Sequence, residues 1–433
     1  MSISKTLDKN IKQVNGPINV VRLQGKIGSV NKVVYLFMDR HLSVEYQTEC
    51  DNIFSKDVHM FFADSFKNIG NTGKTYDFFL EKDAEEITPK IPEELNTSKT
   101  KYISEVGKMF KKIFKYDPKA NRALTSDIFQ NTRLHYIDFR GYLYMDIFEP
   151  IDMANYVMEN IWNKRDLKSE DLNRIAGQLN IVSQQCQLIL QIMDSYSNNK
   201  NKDKNNSERQ YNVRKITPLK YTTVSESYQK TYKQQKQIQI DYIRYFINKI
   251  YTKYNNNTIK SKLINRLEYF KNGIRNLNTE VNNIIVDINN IMTEMTSSSG
   301  KLVQYNDKWS YGMPYEKEIL YIADLYNKLR NLNGDSVSYI ARLIDIYFLR
   351  RFLDKDYITN AILYSGANHS LTDIDILVKD FDFKITHVAY SKYPINQITN
   401  SVKKAEFGMV NIQPLFDNNE QCSDVTHFPD NFM

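Results

Sequence analysis

Ala361-Ile-Leu-Tyr-Ser-Gly-Ala-Asn-His-Ser-Leu-Thr-Asp373 is the stretch from which the rest of the chain can be read. Four apolar or aromatic residues, Ala361–Tyr364, suit a short strand covered on both faces. Gly366 allows a sharp turn where a side chain would obstruct it. Ser370 with Asp373 three residues on has the spacing of a capping box, with Asp in place of Glu. This predicts a helix Leu371–Asp380, followed by a strand Phe383–Ala389. His369 is then expected on a loop leaving a central strand, beside a helix N-terminus. Ligands of open α/β sheets bind at such places.

Working outward, three more apolar runs read as strands. Lys32–Met38 ends at Asp39-Arg40-His41, Tyr76–Leu80 delivers Glu81, and Leu134–Phe139 ends at Arg140-Gly141. Ile18–Leu23 reads as an edge strand, Asp57–Lys67 and Tyr102–Tyr116 as helices, and Lys82–Ser98 as a loop. The period then changes. Ile151–Trp162, Leu172–Tyr196, Tyr221–Tyr254, Lys260–Thr296, Glu316–Leu329 and Val337–Leu353 read as helices, the last two parted by Gly334-Asp-Ser336. Asn198–Asn206 is an Asn/Lys loop. In Lys260–Thr296, residues Leu263, Leu267, Phe270, Ile274, Leu277, Val281, Ile284, Ile288, Ile291 and Met295 alternate steps of four and three. That seam predicts a coiled-coil-like hairpin with the preceding helix, through Tyr228, Tyr232, Tyr242, Phe246 and Ile250. The fold class is therefore α/β: a mostly parallel sheet flanked by helices, with a large all-helical insertion. The predicted parts are 18–150 and 357–410 for the core, 151–356 for the insertion and 411–433 for an irregular tail.

The 433 residues suffice for a full core. Asn, Lys, Ile and 30 Tyr are in excess, a codon signature of an A+T-rich genome. A net charge of +7 over this length does not establish a nucleic-acid binder. The basic stretch Lys200–Lys236 also carries Asp203, Glu208 and Glu226, and reads as a solvated linker. Three cysteines, Cys50, Cys186 and Cys422, argue against a disulfide framework and for a reducing compartment. No apolar leader stands in Met1–Gln13 and no apolar run is long enough to span a membrane, so secretion is not expected.

Four predicted strand ends carry His41, Glu81, Arg140 and His369. In a parallel sheet those ends share one edge. Two imidazoles and a carboxylate, His41, Glu81 and His369, can bind a divalent metal ion and leave positions open for water. Arg140 can hold an anionic group of a small-molecule or peptide substrate. Against this stands the plain reading, that strand-end polar groups satisfy loop backbone.

The phrases Val34-Tyr-Leu-Phe-Met-Asp-Arg-His41, Gln47-Thr-Glu-Cys50, Asp77-Phe-Phe-Leu-Glu81, His135-Tyr-Ile-Asp-Phe-Arg140, Asp345-Ile-Tyr-Phe-Leu-Arg-Arg351 and Ile362-Leu-Tyr-Ser-Gly-Ala-Asn-His-Ser370 resemble a set of uncharacterised proteins of nucleocytoplasmic large DNA viruses, mimivirus relatives above all. More distantly, the arrangement is similar to the TIKI/TraB, ChaN-like and erythromycin-esterase-like superfamily. That resemblance implies an α/β core with a helical insertion. It matches His41 to an early Gly-x-x-His histidine, Glu81 to the acid, Arg140 to the arginine, and Gly366 with His369 to the late motif. Met38 stands where the early motif has glycine. The resemblances imply a divergent metal-dependent hydrolase of a large DNA virus, with Glu81 and Arg140 catalytic. The alternative is a non-catalytic structural or interaction protein that uses the helical hairpin as a partner surface. The expected location is host cytoplasm or virion.

Overall fold

The computed structural model of the chain describes residues 11–42, 44–69, 73–83, 101–117, 122–197, 240–241, 243–299, 301–305, 308–404 and 412–433. The Lys82–Ser98 loop beyond Asp83, the Asn198–Asn206 loop, the Lys200–Lys236 stretch and the Tyr221–Tyr254 helix before residue 240 lie outside them, as do residues 1–10 of the Met1–Gln13 segment. The chain is of mixed α/β class and divides into two units. One comprises residues 1–139, 254–266 and 341–433, the other 140–253 and 267–340.

The first unit is built on a six-stranded sheet of β1 (Asn19–Ile27), β2 (Val30–Asp39), β3 (Tyr76–Leu80), β4 (Thr132–Tyr136), β5 (Asn360–Gly366) and β6 (Lys384–Val388). Their spatial order is β6-β1-β2-β5-β3-β4. The pairs β2–β5, β5–β3 and β3–β4 are parallel, while β1 runs antiparallel to both β2 and β6. All five strands expected from the apolar runs thus lie in this sheet. The N-terminal strand is not the edge, because Lys384–Val388 covers its outer side.

Alternation of side chains sorts the two faces. One face carries Tyr35, Phe37, Tyr76, Phe78, Leu80, Leu134, Ile362 and Tyr364, all buried. Helices α1 (Val58–Asn68) and α2 (Lys101–Ile113) cover it, with Phe78 against Phe62 at 4.8 Å and Phe110 at 4.5 Å between ring centres. On the other face Phe79 meets Phe348 at 4.9 Å. Phe348 belongs to a single helix, Tyr315–Asp354, through which Gly334-Asp-Ser336 runs without a break. Residues 341–356, expected in the insertion, therefore belong to the α/β unit. A helix propensity cost of about 1 kcal/mol for one glycine does not end a helix that is packed along its length.

The helix after β5 is Ala367–Phe381, not Leu371–Asp380. Gly366 is its N-cap and Ser370 lies inside it, so no capping box forms. Twelve of its residues are buried, including Ser370, Asp373 and Asp375. The tail is also no appendage. Cys422–Asp424 pairs with Gln13–Asn15, and Phe428 and Phe432 enter the aromatic core. Cys50 and Cys422 form a disulfide with Cα atoms 5.0 Å apart, and Cys186 is buried and free. The expectation of no disulfide fails here, because spacing along the chain cannot reveal two cysteines joined across 372 residues.

In the second unit the seam of helix Asn257–Ser298 is buried from Leu267 to Ile291. Most of the expected hairpin partner, Tyr221–Tyr254, lies outside the described residues, and the seam helix has two other neighbours. Ser183 of helix Ser169–Ser197 bonds Asn278 at 2.8 Å, and Tyr321 and Lys328 of Tyr315–Asp354 reach Glu294 at 2.6 Å and Asp287 at 2.9 Å. Both neighbours run antiparallel to it.

Candidate acid-base site at the strand ends

The parallel register sets Gly366 opposite Asp39 and Tyr364 opposite Leu80. The ends of β2, β5 and β3 therefore bring Asp39, Gly366 and Glu81 to one edge. Asp39 closes the turn after β2. Its Oδ1 accepts from the His41 amide at 2.6 Å and its Oδ2 from the Tyr364 hydroxyl at 2.5 Å. Met38 remains in the strand, paired with Ser365, and the left-handed residue of the turn is His41 itself, with φ 51°. This conformation costs a non-glycine residue about 1 kcal/mol or more.

Glu81 is the centre of the cluster. Its Oε2 accepts from the Gly366 amide at 2.5 Å and faces His41 Nε2 at 3.3 Å, while its Oε1 faces His369 Nε2 at 3.1 Å. His369 Nδ1 bonds Asp345 Oδ1, and Asp345 Oδ2 lies 3.4 Å from Arg342 Nη1. The result is a row, His41–Glu81–His369–Asp345, that runs inward from solvent. His41 exposes 34% of its side chain, His369 7%, and Glu81 and Asp345 1% each. Glycine at 366 leaves room for the contact between His41 and Glu81, since a Cβ there would sit 2.7 Å from His41 Nε2 and 3.3 Å from Glu81 Oε2.

Burial opposes charge on His369, but the carboxylates of Glu81 and Asp345 outweigh it and hold its pKa well above 6.5. Near neutral pH it is an imidazolium with a proton on each nitrogen. Asp373, one helical turn further on, is 1% exposed, and neither of its oxygens has a hydrogen-bond partner. Burial, then the nearby Asp345 carboxylate, raise its pKa well above the usual value, so it keeps its proton.

The structure thus joins three of the four predicted residues, His41, Glu81 and His369. His369 belongs to the first turn of a helix and not to a loop. Arg140 does not end a strand, since β4 stops at Tyr136, and it falls in the second unit. Sequence reasoning missed Asp345, Asp373, Asp39 and Tyr364. Two signals were present: Asp345 is a lone acid inside the apolar run Ile344–Leu349, and Asp373 stands four residues after His369, on the same helical face.

These donors do not fit a metal ion as they stand. The two Nε2 atoms address different oxygens of one carboxylate, and His369 Nδ1 is taken up by Asp345. Among the described residues no group of three or more His, Cys, Asp or Glu side chains is placed to hold a metal ion. No described helix is long and apolar enough to cross a membrane.

Residues 12–433 match the model of a family of unknown function, DUF5847. The chain is 97% identical over 433 residues to "Uncharacterized protein R160" of Acanthamoeba polyphaga mimivirus, with all of both chains covered. Two further proteins of that virus, "Uncharacterized protein R161" and "Uncharacterized protein R706", are 41% and 38% identical, covering 99% and 100% of this chain and all of their own length. No solved structure matches. The distant likeness to the TIKI/TraB and ChaN-like superfamily finds no support in these matches. The chain is a viral protein of a large DNA virus and belongs to the DUF5847 family.

Proposed function

We propose that the protein is a hydrolase in which His41 serves as general base at the mouth of a strand-end pocket, with no step passing through a metal. The observation that carries this reading is the row His41–Glu81–His369–Asp345, open to solvent only at His41. Glu81 accepts at both oxygens. It therefore draws the Nε2–H of His41 and leaves the lone pair on Nδ1, the orienting role a carboxylate plays for a catalytic histidine. Nδ1 lies 3.6 Å from Asp39 Oδ1. A proton taken there from an attacking water makes an imidazolium flanked by two carboxylates, which favours the transfer. The protonated His369 holds the far oxygen of Glu81 and keeps that carboxylate from turning away.

The test is turnover of a panel of chromogenic esters, phosphoesters, amides and glycosides, run with added chelator and with metal content measured. The expected result is chelator-resistant turnover that falls at least a hundredfold in His41→Ala at unchanged melting temperature. Turnover that survives His41→Ala ends the proposal, and turnover lost to chelator restores the metal-dependent reading. The long helices of the second unit support a second reading, in which that unit serves as a protein-partner surface. An inactive chain that captures a viral protein through helix Asn257–Ser298 would favour it.

A further inference from the structure

The bond between Cys50 and Cys422 joins the tail to the segment that follows the turn of His41. We propose that it is a redox clasp: closed, it keeps the His41 ring seated against Glu81, and opened by a dithiol it lets the ring go. This regulation rests on the reading of His41 as a base, but its test reads the ring itself. His41 stands in the left-handed region, at φ 51°. A non-glycine residue stays there only where the chain around it is held. On the near side, β2 and the bond from the His41 amide to Asp39 at 2.6 Å hold it. On the far side Glu45, Tyr46, Thr48 and Glu49 are exposed, and Cys50 is the one buried residue of 45–50. Cys50 is therefore the anchor of that segment.

The anchor is fastened to the tail. Asn15 pairs with Cys422, and its Oδ1 accepts from the Cys50 amide at 2.8 Å. The Gln421 amide donates to Thr48 Oγ1 at 2.7 Å, and Tyr102 donates to the Thr48 carbonyl at 3.1 Å. Before the turn, the Phe416 ring lies 5.4 Å from the Arg40 guanidinium. The tail thus touches the chain on both sides of His41. It has anchors of its own, Phe428 and Phe432 in the aromatic core. Opening the disulfide therefore loosens 45–50 and not the tail, since single hydrogen bonds of an exposed segment open locally. Cys422 is half-buried and Cys50 8% exposed, so an external thiolate attacks Cys422 Sγ and expels Cys50 as thiolate. The second thiol of the reductant then releases Cys422 and leaves the reductant as a cyclic disulfide. Two electrons pass to the protein, and the two protons end on the cysteines. Cys186 is buried in the second unit and takes no part. An oxidising surrounding closes the clasp and a reducing one opens it.

The experiment reduces the full chain with dithiothreitol, counts thiols after denaturation, and follows the nuclear Overhauser effect between the His41 ring and the Gly366 α-protons. A Cβ on Gly366 would lie 2.9 Å from His41 Cδ2, so the effect is strong while the ring is seated. Reduction should weaken it at least fivefold and reoxidation restore it, with the methyl resonances of Ile362 and Leu363 unmoved. Cys50→Ser combined with Cys422→Ser should match the reduced chain, and Cys186→Ser should respond as the parent does. Turnover should fall at least tenfold on reduction. An unchanged Overhauser effect after all three cysteines titrate as thiols would overturn the proposal. So would three thiols in the air-oxidised chain, or unfolding of the whole first unit on reduction, which would make the bond a structural staple. Absence of turnover in both states would count against the hydrolase reading alone, because the ring contact still decides the clasp.

Discussion

Asp77 and Glu81 stand on the same face of the same strand edge, two steps of the pleat apart, with Phe79 between them. Both are buried and both bond a histidine, yet their surroundings differ in charge. Asp77 receives Arg133 through two bonds, at 2.8 and 2.5 Å, and His135 Nε2 at 2.7 Å. Burial would raise its pKa, but the hydrogen bonds from His135 and Arg133 outweigh that and lower it. Burial, then Arg351, push His135 down to about 4, so its ring is neutral. One carboxylate meets one guanidinium and the account closes. Around Glu81 the buried acids are Asp39, held by the His41 amide and the Tyr364 hydroxyl, and Glu81, Asp345 and Asp373. The imidazolium of His369 and the guanidinium of Arg342 balance two of them, and Asp373 is left to keep a proton. The first arrangement fixes structure. The second keeps protons on His369 and Asp373, whose pKa values are both raised.

The largest expected effect breaks the first arrangement. Asp77→Ala leaves Arg133 and His135 without their shared acceptor and should cost about 3 to 4 kcal/mol in urea unfolding at pH 7. The top of the usual range is not expected, because a third of the Arg133 side chain meets solvent. Turnover per folded molecule should not change. A loss below about 1 kcal/mol would show that this triad is not structural.

The second test uses pH, since the two arrangements should respond in opposite directions. His135 has a folded pKa below its unfolded value, so its contribution is complete above about 6.5 and is lost as pH falls toward 4. Asp77, also depressed, acts in the same direction at lower pH. Holding His135 down at about 4 corresponds to about 3 kcal/mol. His369 has a folded pKa above its unfolded value, so its contribution is complete below 6.5 and is lost as pH rises through the folded value. His135→Gln should flatten the acid limb of the stability profile, and His369→Gln the alkaline limb. The same limb flattening in both variants would contradict the distinction.

Much of this was readable from residue order, and the part that was not has physical causes. Continuous apolar runs located the strands, because burial on both faces favours apolar residues along their length. Strand-end positions then located His41, Glu81 and His369. Asp345 was hidden because its helix appeared to serve only the insertion, when its last turns lie under Phe79. The start of the helix at Ala367 was misplaced because Ser370 and Asp373 imitate a cap, although Ser370 is buried 3.3 Å from Ser365 Oγ and Asp373 faces the acid cluster. The Cys50–Cys422 bond depends on contacts that chain order does not encode.

A smaller effect on stability with a large effect on chemistry is expected at Gly366. Its φ of −55° and ψ of 142° suit any residue, so Gly366→Ala meets no backbone penalty. The added Cβ displaces the exposed ring of His41 and crowds Glu81 Oε2 by a few tenths of an ångström, and stability should fall by about 1 kcal/mol. Turnover should fall as far as in His41→Ala. A variant with turnover intact would show that the contact between His41 and Glu81 is dispensable.

The smallest effect should come from Asp373→Asn, and it sharpens the contrast most. If Asp373 holds a proton when folded, the amide replaces a neutral carboxyl of the same shape. At pH 7 the change should then stay within about 1 kcal/mol, or stabilise, because the unfolded carboxyl ionises while the folded one must not. The sign follows from the raised pKa: the acid's contribution is complete below its unfolded value and is lost as pH rises. Asparagine removes that loss, so the variant should gain on the parent between pH 4 and pH 8. Asp77→Asn tests the other side, since there the carboxylate is ionised and held by Arg133. It should destabilise at pH 7 and converge on the parent as acid protonates Asp77. Urea unfolding of both variants at pH 4 and pH 7 decides the matter. If Asp373→Asn loses stability at pH 7 as Asp77→Asn does, Asp373 is an ionised partner like Asp77, and the picture of a surplus proton at the strand ends fails.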